Sequence, residues 1–263
     1  MLYFEFICVR LKAMLIYPKA FLAGFAAQAF SHAINIFLLW VVISKFNTLN
    51  GWTPLEVLLI YSFNLFTYGL AGFFMFNPCF GLSALIRSGE FDDVLTKPLN
   101  PLFYLISREF NVGYISHCLL SLIVLIVCLV NLHIQFTIVS FIFLIIFTVS
   151  GALIQAAAFL FVFVPSFWII KNDAIPDIFF FRATDFIRYP ISIYNKAVQI
   201  ILTFIFPYAF ISFYPVQYFL HKTDFLMFPS YIQYLSPFVG IALFVLAYQF
   251  WGFAINHYQS TGS

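Results

Sequence analysis

The sequence has 263 residues, of which 63% are hydrophobic, 22% aromatic and only 8% charged. A typical soluble domain is about 45–50% apolar and about 25% charged. The 10 Asp and Glu residues could not coat the surface of a soluble globule of this size. This composition excludes a water-soluble enzyme and also a disordered chain, which needs low hydrophobicity and high net charge. The net charge of +2 is too small to favour nucleic acid as a partner.

Long uncharged stretches predict membrane spans, because a helix needs about 20 largely apolar residues to cross a hydrocarbon core of about 30 Å. We predict a single all-α transmembrane domain over residues 1–263. Its six transmembrane helices are predicted at residues 20–42, 57–76, 112–130, 138–163, 197–213 and 235–253. The third and fourth are separated by the polar run at residues 131–135.

The basic residues predict the orientation, since cytoplasmic loops carry an excess of Lys and Arg. With the N-terminus inside, the outer side carries only Lys45 and Lys222. The inner side carries Arg10, Lys12, Lys19, Arg87, Lys97, Arg108, Lys171, Arg182, Arg188 and Lys196. Both termini are therefore predicted to be cytoplasmic.

Three segments outside the spans are predicted to form further helices or turns. Residues 1–19 are predicted to lie along the inner leaflet as an interfacial helix, with a disordered leader as the alternative. Residues 171–190 are predicted to be a second cytoplasmic helix, because apolar and charged residues gather on different sides of its helical wheel. Residues 214–237, on the outer side, contain apolar pieces too short to cross, which fit re-entrant helices.

The cytoplasmic loop at residues 87–101 is predicted to hold a short amphipathic helix. Gly89 can cap this helix, its first turn is acidic, as the helix dipole favours, and Pro98 and Pro101 stop it. Its characteristic residues are Glu90, Phe91, Asp92, Asp93, Val94, Leu95 and Lys97. Two interpretations stay open: the helix docks on a partner protein, or it shields the floor of the bundle.

Neutral polar residues recur in helical register on two of the predicted spans. They are Gln28, Ser31, His32 and Asn35 on span one, and Tyr61, Asn64 and Tyr68 on span two. One interpretation is interhelical hydrogen bonding, worth roughly 0.6 kcal/mol on average. The other is a face that lines a substrate path or a subunit seam. No carboxylate or second histidine lies at ligand spacing from His32 on its own helix, so no metal site is predicted.

Catalytic and nucleotide-binding motifs are missing from the sequence. There is no GxxxxGK[ST], HExxH, GxSxG or GxGxxG motif, so the chain cannot hold ATP phosphates in a P-loop. The predicted spans contain no Asp or Glu, and this argues against an ion-coupled transporter. The four cysteines form no CxxC pair and are interpreted as small hydrophobic residues. We therefore predict no catalytic residue and no cofactor in this chain.

Four blocks of sequence carry a family resemblance. They are GEFDDVLTKPLNP at 89–101, RYPISIY at 188–194, FPYAFISFYP at 206–215 and WGFAINHYQSTG at 251–262. Together with the predicted topology, they resemble the permeases of ABC-2 type exporters. More narrowly, they are similar to a branch of uncharacterised permeases that often occur as two different permease chains with one ATPase.

The resemblance implies a function and a set of partners. The chain would be a non-enzymatic permease subunit in the bacterial cytoplasmic (plasma) membrane that moves a hydrophobic or amphipathic substrate out of the cell. It would dimerise with a second permease chain, as a heterodimer rather than a homodimer, around the substrate path. ATP and Mg²⁺ would bind only to separate ABC ATPase subunits. A membrane scaffold without transport activity is the alternative function.

The resemblance also assigns the coupling role to the helix in loop 87–101. Residues 90–97 would dock into a groove on the ATPase. Phe91 and Leu95 are expected to fill that groove, while the carboxylates meet basic residues on its rim. Short re-entrant helices between spans five and six, which the resemblance also implies, match residues 214–237.

Overall fold

The computed structural model describes residues 5–9, 12, 16, 18–46, 48–135, 137–169, 172–222 and 228–260. Within these ranges the chain is helical, and its only β pairing is an isolated bridge between Leu49 and Trp52. The helices are α1 (Pro18–Ile43), α2 (Pro54–Phe80), α3 (Leu82–Arg87), α4 (Glu90–Thr96), α5 (Pro101–Glu109), α6 (Ile115–Asn131), α7 (Ile138–Phe163), α8 (174–188, with π-helical turns at Asp177–Arg182), α9 (Lys196–Ile205), α10 (Phe213–Leu220) and α11 (Ser236–Asn256).

Five helices of the described chain are long and apolar enough to cross a bilayer. They are α1, α2, α6, α7 and α11, and they overlap predicted spans one, two, three, four and six. The predicted count of six long spans is not confirmed, because predicted span five, residues 197–213, is not one helix.

Predicted span five instead forms a hairpin of two short helices. The first, α9, ends at Ile205, and Pro207, which has no amide hydrogen to donate, follows closely. The chain then turns back into α10. The hydroxyls of Thr203 on α9 and Tyr214 on α10 lie 3.0 Å apart across this turn. Ser192, before α9, contacts Trp52, and Lys222, after α10, contacts Glu56, so the segment enters and leaves at the same end of α2. We call residues 196–220 the α9–α10 hairpin.

The two ends of the bundle are marked by two buried aromatic residues. At one end, which we call the Trp52 end, the Trp52 indole N–H donates to the Ser192 hydroxyl at 3.0 Å, and its ring lies 5.5 Å from that of Phe213. At the opposite end, the Phe91 end, the Phe91 ring lies 5.1 Å from that of Phe167 just after α7. Both arms of the α9–α10 hairpin open toward the Trp52 end.

The segment 172–192, which contains α8, runs along the whole of α2 in the opposite direction. Successive residues of this segment meet positions progressively nearer the Trp52 end: Pro176 lies near Phe80, Phe180 near Tyr68, Arg188 near Tyr61, and Ser192 beside Trp52. Tyr68 lies near the middle of α2. The chain therefore passes from the Phe91 end to the Trp52 end through α8.

This path corrects the prediction of a cytoplasmic interfacial helix at residues 171–190. Phe180 and Ile187 on α8 are buried among the long helices rather than lying beneath them, and Phe180 packs 4.4 Å from Phe159 of α7. The cause of the error is physical: one apolar and one charged side suit a helix at a membrane surface and equally a helix that faces a polar cavity. Lys171 itself lies outside the described residues.

Two other predicted segments are described only in part. Of the predicted interfacial helix at residues 1–19, the structure describes 5–9, 12, 16, 18 and 19, with Phe6 packed 5.2 Å from the Tyr104 ring. Of the predicted re-entrant segment 214–237, residues 223–227 lie outside the described chain. The hairpin that turns back within the bundle is α9–α10, which begins earlier than that prediction.

Candidate functional site

A half-open cavity of about 380 Å³ lies between α1, α2, α7 and α8. Most of its lining residues are polar or charged. These are His32, Asn35, Tyr61, Asn64, Tyr68, Gln155, Asp177, Arg182, Thr184, Asp185 and Arg188. We call this space the polar cavity. The predicted polar rows of α1 and α2 thus meet, and most of their members face one space.

Two members of the predicted α1 row lie away from the polar cavity. Gln28 packs against Gly113, where an added Cβ would come within 2.7 Å of the Gln28 Oε1. Ser31 is exposed, and its carbonyl oxygen accepts a hydrogen bond from the Asn35 side chain at 3.0 Å. The row therefore divides: His32 and Asn35 line the cavity, whereas the other two do not.

Gln155 is the most buried polar residue that lines the cavity, at 1% exposure. Its Nε2 donates to the Asn64 Oδ1 at 3.1 Å and lies 3.3 Å from the Thr67 hydroxyl oxygen. The Thr67 hydroxyl donates its hydrogen to the Asn64 carbonyl, so its oxygen is left as an acceptor toward Gln155. The Gln155 amide group therefore directs its Nε2, and not its Oε1, toward these acceptors. Its Oε1 has no hydrogen-bond partner among the residues that the structure describes.

The charged side of α8 supplies two ion pairs to the cavity wall. Arg188 lies 2.7 Å from Asp185, and Arg182 lies 3.4 Å from Asp177. The four side chains are between 46% and 72% exposed. Sequence reasoning missed these residues because it predicted an interfacial helix apart from the bundle, although the gathering of charges on one side of the helix was visible.

A second histidine reaches His32 from a different helix. The ring of His117 on α6 lies 3.8 Å from that of His32, and Tyr114 stacks on His117 at 4.4 Å. The Tyr114 hydroxyl lies 3.1 Å from that of Tyr68. Spacing along one helix could not show this contact. No group of three or more His, Cys, Asp or Glu side chains suited to a metal ion occurs in the described part of the chain.

The predicted amphipathic helix of loop 87–101 is α4, Glu90–Thr96, at the Phe91 end. Gly89 precedes it with a φ of 76°, a left-handed conformation that glycine adopts at no steric cost. Glu90 and Asp93 are exposed, and Leu95 is 36% exposed. These three side chains are available to a partner protein.

Phe91 is not available to a partner, which corrects the expectation that it fills a groove on the ATPase. It is fully buried within its own chain, as is Val94. Its ring packs 5.2 Å from Tyr258 and 6.2 Å from Trp251. The apolar side chains of α4 therefore anchor this helix to the end of α11. A buried aromatic side chain stabilises such a contact because it removes a large apolar surface from water.

The polar residues of α4 also make contacts within the chain. The Lys97 ammonium donates to the Asp93 carboxylate at 2.9 Å, and this hydrogen bond raises the pKa of Lys97. The Ser260 hydroxyl donates to the Asp92 carboxylate at 2.5 Å. Asp92 is thus turned toward the C-terminal residues, whereas Glu90 and Asp93 are the exposed acidic residues of α4.

A family model described as "ABC-2 family transporter protein" matches residues 29–262. No curated protein and no solved structure has significant similarity to the chain. The match begins within α1 and includes every later helix, the lining of the polar cavity and α4. Permease domains of this family are the non-catalytic transmembrane part of ABC transporters and associate with an ABC ATPase. The chain is therefore a multi-pass membrane protein that belongs to the ABC-2 family of transporter proteins.

Proposed function

We propose that this chain is the permease subunit of an ATP-driven exporter and that the polar cavity is part of its substrate path. The observation that carries the proposal is the position of α8. Its four charged side chains line the open cavity whose other walls are α1, α2 and α7, and Tyr68 from the middle of α2 lines it too. Charged side chains at membrane depth are costly unless they face a water-filled path, a bound molecule or another protein chain.

In this proposal the chain crosses the bilayer six times, with α8 as the fifth crossing. α8 has 15 residues (174–188), too few to span alone, but the whole segment from 172 to 192 reaches from one end of α2 to the other. The α9–α10 hairpin then enters from the Trp52 end and returns to it. Its turn is packed against α7, where an irregular backbone is tolerated because protein surrounds it.

In the proposed orientation, both termini and the Phe91 end face the cytoplasm. Among the described residues, Lys12, Lys19, Arg87, Lys97 and Arg108 belong to the Phe91 end, and Lys45, Lys196 and Lys222 to the Trp52 end. The predicted division of ten inner and two outer basic residues becomes five and three among the described residues. Arg182 and Arg188 line the cavity, Lys196 lies at the Trp52 end, and Arg10 and Lys171 lie outside the described residues. The sign of the excess is unchanged, as the positive-inside rule requires.

α4 is the proposed contact with the ATPase. It lies at the cytoplasmic end in this orientation, and it offers Glu90, Asp93 and Leu95 on its outward side. Phe91 has a different role: it ties α4 to α11 through Trp251 and Tyr258. Movement of the ATPase would therefore pass from the exposed side of α4 through the buried ring of Phe91 into a long helix.

A second permease chain is proposed to cover the open side of the polar cavity. α1, which forms one wall, is largely exposed along its length, with Phe30, Phe37 and Leu38 more than half exposed. Lipid could cover these apolar residues but not the neighbouring ion pairs of α8. The partner in the bacterial plasma membrane would be a different permease chain, in keeping with the resemblance to two-permease systems.

The experiment that tests this function is reconstitution of the chain together with a second ABC-2 permease chain and an ABC ATPase from the same genome. The chain should bind that ATPase in a pull-down, and proteoliposomes holding the complex should move an amphipathic dye only when ATP is supplied. Arg188→Gln should reduce ATP-dependent movement without reducing ATPase binding. A complex that binds the ATPase but shows no ATP-dependent movement of any amphipathic probe would favour the scaffold alternative.

A further inference from the structure

The polar cavity combines both signs of charge with a buried acceptor that lacks a protein partner. Two Asp and two Arg residues on α8 line it, so these ion pairs bring no net charge. A ligand with a net charge would leave that charge without a matching counter-charge among these residues. A ligand that carries one positive and one negative group would not.

The arginines suit an anionic group. Each guanidinium has five N–H donors in a planar fork that matches phosphate or carboxylate geometry. The Arg182 contact to Asp177 is made through Nε, and the Arg188 contact to Asp185 through one terminal nitrogen. A phosphate held between the two arginines could use their further donors while the aspartates remain as counter-charges.

The α7 wall of the cavity suits a cation that donates hydrogen bonds. Gln155 is 99% buried and lines the cavity, and its Oε1 accepts no hydrogen bond from the described residues. A buried acceptor without a donor costs free energy, so an N–H donor that reached this oxygen would be stabilised there. A primary ammonium has N–H groups to offer there, whereas a quaternary ammonium has none.

The size of the cavity limits what it can hold. About 380 Å³ is near the lower end of the range for ligand pockets. This volume accommodates a headgroup but not a whole lipid, and the open side leaves room for attached chains to extend outward.

We propose that the polar cavity binds a zwitterionic group of the phosphoethanolamine type. Its phosphate pairs with Arg182 and Arg188, and its ammonium donates to the Gln155 Oε1. The inference deepens the proposed function by naming the substrate class, and rests on it for the claim that the bound group is cargo. Such a group occurs both in lipid headgroups and in their soluble glycerol esters.

Equilibrium binding to the purified full-length chain in detergent tests the chemistry. The probes are the dihexanoyl forms of phosphatidylethanolamine, phosphatidylcholine and phosphatidylglycerol. The first should bind about tenfold more tightly than the second, which has no N–H to donate, and more tightly than the third, which carries a net charge. Equal binding of the three would overturn the proposal.

Soluble glycerophosphoethanolamine distinguishes the two sources of the zwitterion. If it competes as well as the dihexanoyl lipid, the chemistry is supported and the natural ligand is a soluble ester. If it competes much more weakly, the chemistry is supported and the ligand is a lipid, because the chains then contribute to binding. No competition by either compound would contradict the proposal.

Substitutions test whether Arg182, Arg188 and Gln155 bind the ligand. Arg182→Gln and Arg188→Gln should each weaken phosphatidylethanolamine binding about tenfold, whereas Arg87→Gln, an exposed arginine on α3 outside the cavity, should leave it unchanged. Gln155→Met should remove the preference for ethanolamine over choline. This variant also loses the hydrogen bond from Gln155 to Asn64, so its thermal stability is measured as well. The comparison of lipids on the unaltered chain tests the role of the Gln155 Oε1 independently.

The outcomes separate this inference from the proposed function, since binding is measured without an ATPase. Binding with the expected preference in a chain that does not transport would overturn only the exporter proposal. A transport-competent complex whose chain shows no preference between ethanolamine and choline would overturn only the present inference.

Discussion

The Nζ of Lys222 lies 2.6 Å from Oε2 of Glu56, so an ion pair joins the end of the α9–α10 hairpin to the first turn of α2. The same carboxylate oxygen accepts the backbone N–H of Thr53 at 2.7 Å and thereby caps α2. The lysine ammonium also lies 4.4 Å from the centre of the Trp52 ring, where a cation–π interaction contributes further. One carboxylate thus holds together two elements far apart in sequence.

Removing the lysine should lower the stability of the protein. Lys222→Met leaves the Glu56 carboxylate, whose side chain is only 11% exposed, without its cation, at a cost of about 1–3 kcal/mol. The double variant Glu56→Gln, Lys222→Met should recover part of the loss, because glutamine can still cap α2 and carries no charge. Thermal unfolding in detergent measures the effect. Lys45→Met, at an exposed position, is the control. An equal decrease of the unfolding temperature in Lys222→Met and Lys45→Met would contradict the prediction.

The path of α8 predicts that Lys196 lies outside the cell. A single cysteine at Lys196 or at Asn50, in a chain without its native cysteines, should react with an impermeant thiol reagent added to intact cells. Both positions are exposed at the Trp52 end. A cysteine at Arg87 or Lys97 should react only after the membrane is opened. Labelling at Lys196 only after opening would restore the cytoplasmic position that the sequence predicted for this residue.

Two groups of variants in α4 should separate binding from transmission. Leu95→Ala and Glu90→Lys change the exposed side of the helix, so they should weaken ATPase binding. Phe91→Ala should leave binding largely intact but reduce substrate-stimulated ATP hydrolysis, because the cavity left beside Trp251 loosens the link to α11, at about 3–5 kcal/mol for a buried phenylalanine. Pull-down and ATPase assays on the same complexes measure the two effects.

The control for these α4 variants is Thr96→Ala, at an exposed position in the last turn of the helix. It should leave both binding and stimulation close to those of the unaltered chain. If Phe91→Ala weakened ATPase binding as much as Leu95→Ala, the separation of roles would be wrong. α4 would then act as one unit whose whole fold is needed for docking.

The polar row of α1 should divide in function as it divides in position. His32→Leu and Asn35→Leu remove groups that line the polar cavity, so each should reduce ATP-dependent movement of substrate while expression stays normal. Ser31→Leu lies on the same turn but outside the cavity lining, and it should have little effect. Transport assays on membranes with matched protein levels measure this. Equal activity of all three variants would indicate that the row serves only packing.

The sequence alone determined the class of protein and most of its long helices. A chain with 63% hydrophobic and 8% charged residues can bury its side chains only in a bilayer, and uncharged runs of sufficient length are visible without a structure. α7 begins and ends at the residues predicted for span four, Ile138 and Phe163. The short helix α4 was likewise visible, because Gly89 and the prolines around it are local signals.

Only the tertiary structure decided which side of each amphipathic helix packs against the rest of the chain. The division of α8 into an apolar and a charged side suits a membrane surface and a polar cavity equally. The apolar side of α4, which contains Phe91, suits docking on a partner and anchoring to Trp251 equally. The contacts of His32 with His117 and of Lys222 with Glu56 join residues far apart in the chain. Helical periodicity reports which residues share a face, whereas the neighbour of that face is set by the packing of whole helices against each other.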